Sequence, residues 1–221
     1  MSFRIIDHDQ GSIPWLRWRH DGIGGSDTPA LMGENPWRTA RALFAEKVAP
    51  SRFGPAVEPS PDAQLFARAP RPAEPPADRR YRSAASRGTA LEPYARDLFN
   101  RHAGVETVPN CLESRERPWQ RVSLDGLCLR SNRVIEIKCG DKVYGHSEAT
   151  GTVPGYYVGQ LQQILAVTGF EVVDFWVWLP GKTPIHISVP RNEAYIARMT
   201  ALQSDFWNRV LAARALTSAV R

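Results

Sequence analysis

Val122-Ser123-Leu124-Asp125-Gly126-Leu127-Cys128-Leu129, then Arg130-Ser131-Asn132, then Val134-Ile135-Glu136-Ile137-Lys138 is the stretch that decides how this chain reads. The first eight residues alternate as a half-buried strand does. The next three suit a turn, and the last five make a second strand. Residues two apart on a strand share a face. Glu136 and Lys138 therefore point one way, while Ile135 and Ile137 point into the core. The turn folds the strand of Asp125 back alongside, so two carboxylates and an ammonium are expected together at one sheet edge. Clustered carboxylates repel, and a lysine buried beside them is costly. A divalent cation relieves that repulsion. Hard Mg²⁺ takes oxygen ligands and keeps several waters; it stabilises charge on a phosphoryl group and lowers the pKa of a bound water. The plainer reading is a surface hairpin with a cross-strand salt bridge, worth about a few tenths of a kcal/mol. The D…ExK spacing alone also arises by chance.

Working outward, Thr89 to His102 has Leu91, Tyr94, Ala95, Leu98 and Phe99 at helical spacing. Two readings stand side by side for Glu92. Thr89-Ala90-Leu91-Glu92 resembles a capping box, although Pro93 biases Glu92 away from the α region. A carboxylate at a helix start could equally reach the metal cluster. Thr39 to about Ala49 and Ile13 to Arg19 read as helices. Between them, Gly22-Ile23-Gly24-Gly25-Ser26-Asp27 is a glycine-rich turn. Gly24 and Gly25 let backbone N–H groups converge on an anion. Ser26 can donate its hydroxyl, and Arg19 can bind a phosphate bidentately. The alternative is a helix cap at Ser26 with Arg19 solvated. No GK[ST] follows, and no strand precedes, so neither a Walker A loop nor a dinucleotide fingerprint is present. Tyr156 to Thr168 reads as a helix stopped by Gly169. Gln160 and Gln163 share a face of it, either as a polar stripe or with Gln160 orienting a water or the lysine. Val172 to Leu179 and Ile185 to Val189 are strands, and Asn192 to about Arg214 is a long helix. Trp176 and Trp178 alternate on a strand and read as core rather than as base-stacking platforms. Strands in the middle with helices around them argue for an α/β fold, a central mixed β-sheet flanked by helices.

With 221 residues and 24.7 kDa, the chain suits one sizeable α/β domain. Eight prolines fall between Pro50 and Pro76. Such density favours extended backbone, so about 50–85 is read as an excursion within a single domain spanning 1–221. No apolar run approaches a membrane span, and the N-terminus lacks a secretory layout. Cys111, Cys128 and Cys139 are an odd number with no CxxC spacing, which argues against a disulfide framework and a zinc ribbon and fits a reducing cytoplasm. The net charge of +5 is compatible with a polyanionic partner. Only four of the 28 cations are lysines, Lys47, Lys138, Lys142 and Lys182, so the position of Lys138 stands out.

Taken in order, these pieces resemble the YqaJ-type viral recombinase family, the phage alkaline exonuclease branch of the PD-(D/E)xK nucleases that includes lambda exonuclease. The resemblance rests on Arg19 with Gly22-Ile23-Gly24-Gly25-Ser26-Asp27, on Asn35-Pro36-Trp37, and on Phe44-Ala45-Glu46-Lys47. It continues through Arg87-Gly88-Thr89-Ala90-Leu91-Glu92, Ser123-Leu124-Asp125-Gly126 and Ile135-Glu136-Ile137-Lys138-Cys139. It closes with Pro154-Gly155-Tyr156-Tyr157-Val158-Gly159-Gln160-Leu161-Gln162 and Phe206-Trp207. The resemblance implies a restriction-endonuclease-like core. It implies that Asp125, Glu136, Glu92 and the Ile137 carbonyl hold Mg²⁺, in two ions for which Mn²⁺ can substitute. It implies Lys138 as the catalytic lysine and Gln160 as the glutamine of the QxQ helix. Arg19, Ser26 and Ser123, with Gly24 and Gly25, resemble the residues that hold a 5′-phosphate. The activity implied is 5′-to-3′ resection of one strand of linear double-stranded DNA, giving single-stranded DNA for phage-type recombination. A ring-shaped homotrimer, a single-strand annealing protein as partner, and the cytoplasm of a phage or prophage host are implied as well. The sequence departs from the family in the proline-rich stretch. Two rivals remain at this stage: a PD-(D/E)xK endonuclease, and a DNA-binding recombination module without catalysis.

Overall fold

The computed structural model describes residues 1–53 and 83–219, so all but the two ends of the proline-rich run lie outside the described residues. The sheet has the order β1-β3-β4-β5-β6-β7. These strands are β1 (Phe3–Ile6), β3 (Val108–Ser114), β4 (Gln120–Cys128), β5 (Arg133–Lys138), β6 (Val172–Val177) and β7 (Ile185–Pro190). A two-residue strand, β2 (Ile23–Gly24), adds to β4. Neighbours are antiparallel except β5–β6 and β2–β4. Parallel pairing needs a crossover, which α5 (Asp141–Thr150) and α6 (Gly155–Thr168) supply. This is the mixed, helix-flanked sheet that the apolar pattern predicts.

Helices cover both faces. Leu161, Ile164 and Leu165 of α6 and Met199 of α7 (Glu193–Ala219) pack with Leu124, Val134, Phe175 and Val177. On the other side, Leu91, Ala95 and Phe99 of α4 (Ala84–Ala103) pack on Ile135, Ile137, Trp176 and Trp178. On the N-terminal side, α1 (Ile13–His20) and α2 (Thr28–Leu31) precede α3 (Ala40–Val48), and a third cluster joins Ile23, Ala30 of α2, Leu43 of α3, Phe206 and Val210. β5 is thus covered on both faces. Glu136, expected merely to share a face with Lys138, is buried at 1% exposure.

Several sequence expectations are corrected. β5 lies between β4 and β6, so the chemistry sits inside the sheet and not at its edge. The helix carrying Glu92 begins at Ala84, capped by Ser83 and Ser86 in a reciprocal box. Thr89 is already inside that helix, its hydroxyl donating to the Ala85 carbonyl at 3.2 Å. The proposed Thr89–Glu92 box therefore does not exist, and Pro93 is accommodated within the helix. Packing of Leu91, Ala95 and Phe99 on the sheet overrides the local proline bias. β1, β3 and α5 are found where the sequence reading placed no element. β1 and β3 have exposed positions at Ile5 and Val108, and α5 contains Gly145 and has few apolar residues.

Candidate active site

The site originates in a fork. β2 pairs with Gln120 and Arg121 at one end of β4, and β5 pairs with Gly126, Leu127 and Cys128 at the other. Both lie on the edge of β4 opposite β3, because Arg121 and Leu127 also pair with β3. The register leaves residues 122–125 between them. Gly126 closes the narrow end of the fork: a Cβ there would stand 2.5 Å from the Thr107 hydroxyl and 2.9 Å from Ile135 Cγ1. Beyond it the strands part, and the amide of Ile137 donates to Asp125 Oδ2 at 2.7 Å instead of to a backbone carbonyl. The Ile137 carbonyl leaves the strand on the same side as its amide, so it faces the same gap.

Glu136 sits beneath. Its Oε1 accepts from the Lys138 ammonium and from Gln160 Nε2 at 2.6 Å. Its Oε2 is buried with no hydrogen-bond partner. An orphaned buried carboxylate oxygen is costly, and it is the atom a cation would satisfy. Burial first, then the charge of Asp125, pushes the Glu136 carboxyl up to about 8 against the pull of Lys138. Burial also raises Asp125, opposed by Lys138 and by the Ile137 amide. Burial works against the Lys138 ammonium, but the Glu136 and Asp125 carboxylates outweigh it and hold the group well above its ordinary value. The Tyr157 ring lies 4.9 Å from the same ammonium. Lys138 is therefore charged in this arrangement, a donor and not a free base.

Glu92 reaches the cluster from the middle of α4. Its carboxylate is paired with Arg96, whose Nε donates to the Asp125 carbonyl. Burial and the Asp125 charge raise Glu92 to about 7. The Asp125 charge thus raises both glutamates, as crowded negative charges do, while burial is what raises Asp125 itself. Among the described residues, however, no group of three or more His, Cys, Asp or Glu side chains is gathered so as to hold a metal ion. Glu92 turns to Arg96, and Glu136 to Lys138 and Gln160. Asp125 and Glu136, with the orphaned oxygen and the Ile137 carbonyl, form an all-oxygen donor set that fits a hard cation. Glu92 joins it only by leaving Arg96.

The glycine turn stands beside this cluster. Arg19 Nη2 donates to Ser26 Oγ at 2.6 Å, with its guanidinium 4.6 Å from the Trp15 ring. Trp15 Nε1 donates to Ser123 Oγ at 2.8 Å. Ser26 is therefore not a helix cap with Arg19 free in solvent: Gly24 and Asp27 hold the cap positions, and Arg19 is held by the Ser26 hydroxyl. The turn is fixed from below: the amide of Gly24 donates to Asp27 Oδ2 at 3.0 Å. Asp27 is buried against Lys47 at 3.0 Å and Arg38 at 2.8 Å. Gly25 packs on Gln160, where a Cβ would come within 3.4 Å of its Cγ. Arg19, Gly24, Gly25, Ser26, Ser123, Asp125, Glu136, Lys138 and Gln160 line one cavity of about 200 Å³. A second cavity, of about 660 Å³, shares Asp125 and Lys138 with it and adds Glu92 and Ile137. The carboxylates, Lys138, Gln160, Ile137 and the Arg19–Ser26–Ser123 group named from the sequence each line one or both of these cavities.

Sequence reasoning gave no site role to five residues. Arg96 is four positions after Glu92, a spacing that signals an ion pair on a helix. Trp15, Tyr157 and the buried Asp27–Lys47 pair carry no local signal of their own. Gln163, expected on the same stripe as Gln160, is instead buried structure. It donates to the carbonyls of Ile23 and Arg121, both at 2.8 Å, and so ties β2 to β4.

Residues 14–171 match the family model of the YqaJ-like viral recombinase domain. The chain belongs to this family. It is 23% identical over 198 residues to the uncharacterized protein YqaJ of Bacillus subtilis (strain 168), covering 88% of this chain and 54% of that protein. The chain thus spans about half the length of that relative. Among solved structures, the alkaline exonuclease LHK-Exo of Laribacter hongkongensis superimposes with a TM-score of 0.70 at 21% identity, covering 95% of this chain and 98% of that one. The same enzyme in complex with dAMP gives 0.69 at 20% identity, with the same coverage. A phage-related exonuclease of Haemophilus somnus 129PT gives 0.52 at 14%, covering 86% and 95%. The YqaJ-family chain therefore has the fold of these exonucleases. Among the described residues no helix is long and apolar enough to cross a membrane.

Proposed function

We propose that this YqaJ-family chain is a Mg²⁺-dependent exonuclease that hydrolyses phosphodiester bonds from the 5′ end of linear double-stranded DNA. The observation that supports it is one cavity lined both by Asp125, Glu136, Lys138 and Gln160 and by Arg19, Ser26 and Ser123. Clustered carboxylates repel phosphate, so a mere DNA binder has no use for them there. That the structural neighbours are exonucleases agrees with the reading.

Asp125, Glu136 and the Ile137 carbonyl would hold Mg²⁺, with Mn²⁺ as a substitute and Glu92 completing a second ion's ligands. Bound there, the metal supplies Lewis-acid stabilisation of charge on the phosphoryl group. The protein's own residues do the rest. The Lys138 ammonium, held by Glu136 and Tyr157, donates to a water or phosphate oxygen at the scissile position. Gln160 fixes Glu136 and so the direction of its free oxygen. Arg19 and Ser26 grip the terminal 5′-phosphate, which sets how far the strand enters. The product strand is single-stranded DNA for recombination. A homotrimeric ring around the duplex and a single-strand annealing protein as partner complete the proposal, within the cytoplasm of a phage or prophage host.

The test is digestion of 5′-phosphorylated linear duplex with Mg²⁺, beside a closed circular duplex and an end-labelled duplex. Loss of the linear DNA from the 5′ end, an intact circle, and no digestion by Lys138→Ala are expected. Cutting of the circle would favour the endonuclease, and tight Mg²⁺-independent binding without cutting would favour the binding module.

A further inference from the structure

Trp37 is 69% exposed, although tryptophan is among the side chains with the most apolar surface to hide. Its position is set by a built turn. Asn35 Oδ1 accepts from the amides of Trp37 at 2.8 Å and Arg38 at 3.0 Å, Pro36 stiffens the backbone between them, and Arg38 is anchored on buried Asp27. The indole is thus presented to solvent by a fixed loop.

The ring does not stand alone. It meets Tyr156 edge to face, with centroids 4.9 Å apart, and Tyr156 meets Tyr157 at 4.6 Å. Tyr157 lies 4.9 Å from the Lys138 ammonium. A line of three aromatic rings therefore runs from solvent to the lysine of the site. Trp37, Tyr156 and Tyr157 line the larger cavity together with Glu92, Asp125 and Lys138. Arg19, Ser26 and Ser123, which suit a terminal phosphate, line the smaller one. A strand whose terminal phosphate lies in the smaller cavity and whose backbone passes Asp125 and Lys138 continues into the larger one. A base in intact duplex has both faces covered by its neighbours. Only an unpaired base has a free face for an indole, and such stacking is indifferent to sequence.

We propose that Trp37, backed by Tyr156, stacks an unpaired nucleobase of the strand being degraded and so positions that strand beside Asp125 and Lys138. The inference rests on the nuclease reading for its substrate, and it assigns Trp37 a positioning role that the carboxylate cluster does not.

The test compares a blunt 5′-phosphorylated duplex with the same duplex carrying three mismatched terminal pairs. Trp37→Ala is expected to slow the blunt end about tenfold, in line with the loss of one base stack, and the mismatched end distinctly less. Trp37→Phe is expected to keep most of the blunt-end rate. Equal rates for wild type and Trp37→Ala on the blunt end, or equal slowing on both ends, would overturn the proposal. A second readout needs no cleavage. In a Lys138→Ala background, 2-aminopurine placed second from the 5′ end should lose fluorescence on binding with Trp37 present and keep it with Trp37→Ala. Quenching that survives Trp37→Ala overturns the stacking. If wild-type protein digests no DNA at all, the nuclease reading fails, and the 2-aminopurine measurement still decides the stacking.

Discussion

Asp125 of β4 accepts the amide of Ile137 of β5 at 2.7 Å, at the point where the two strands cease to pair with each other. A side chain here takes over a backbone ladder position. The carboxylate thereby becomes both a strut between strands and a charged wall of the site. The two duties can be separated. Asp125→Asn keeps an oxygen acceptor for the amide, whereas Asp125→Ala leaves the amide unsatisfied, at a cost of about 1–3 kcal/mol. Asn is expected to unfold close to wild type in urea, and Ala clearly earlier. Both should lose more than the roughly 10–100-fold in activity that a ligand's supporting partner is worth. Nuclease activity retained by Asp125→Asn would remove Asp125 from the metal set.

The raised carboxyls make stability depend on pH in an unusual direction. Glu136 at about 8 and Glu92 at about 7 lie above their ordinary value of 4.5. Between that value and their folded values the folded chain binds more protons than the unfolded one, so stability falls as pH rises. Without divalent metal, Tm is expected to drop from pH 5.5 to pH 8. Mg²⁺ should restore more of it at pH 8 than at pH 5.5, because the cation competes with protons for the same oxygens. Thermal melts at both pH values, with Mg²⁺ and with chelator, check this. A metal-free Tm that rises over the same range would contradict the crowded-carboxylate account.

How much was legible beforehand follows from where each signal lives. Glu136 and Lys138 announce themselves by alternation on one short strand, and Asp125 by the turn that brings its strand back. The glycine turn and Arg19 are local too, separated by only a few residues. The burial of Glu136 was not legible, because it arises from α4 and α6 closing on both faces of β5. Glu92 was placed in the right helix but at the wrong point of it, since Ser83 and not Thr89 begins the helix. Local capping chemistry at Thr89 and Pro93 suggested an end that tertiary packing does not respect. Lys47, one of the four lysines, proved to be wholly structural, 2% exposed against Asp27. Nothing within its own helix signals a partner twenty residues away.

That Asp27–Lys47 pair supports the glycine turn from below. Burial alone would raise the Asp27 carboxyl, but the charges of Lys47, Arg19 and Arg38, with the Gly24 amide, bring it below its ordinary value. Removing one member of a buried pair costs about 3–5 kcal/mol, because the other charge is left uncompensated. Lys47→Ala is expected to lower stability by that order. Asp27→Asn, which retains an acceptor for the Gly24 amide, should lose less than Asp27→Ala. Urea denaturation of the three variants measures it, and a neutral Lys47→Ala would show that the pair contributes little.

On the proposed reading, Arg19 is the residue through which the pocket takes a terminal phosphate. Its Nη2 is held by the Ser26 hydroxyl, its guanidinium lies over Trp15, and Trp15 in turn holds Ser123. The guanidinium is thus oriented before any substrate arrives, which spares the entropy of fixing a long side chain on binding. A duplex with a 5′-phosphate should be cut faster than one with a 5′-hydroxyl. Arg19→Ala is expected to slow the phosphorylated duplex about tenfold or more, the order of one charged hydrogen bond, and to leave the hydroxyl duplex nearly unchanged. Arg19→Lys should not restore the preference, because a lysine lacks the planar fork and its stack on Trp15. Ser26→Ala, which frees the guanidinium without removing it, should give a smaller loss. Rates on the two duplexes for the four proteins settle it. A preference for 5′-phosphate that survives Arg19→Ala would move the terminal phosphate out of this pocket.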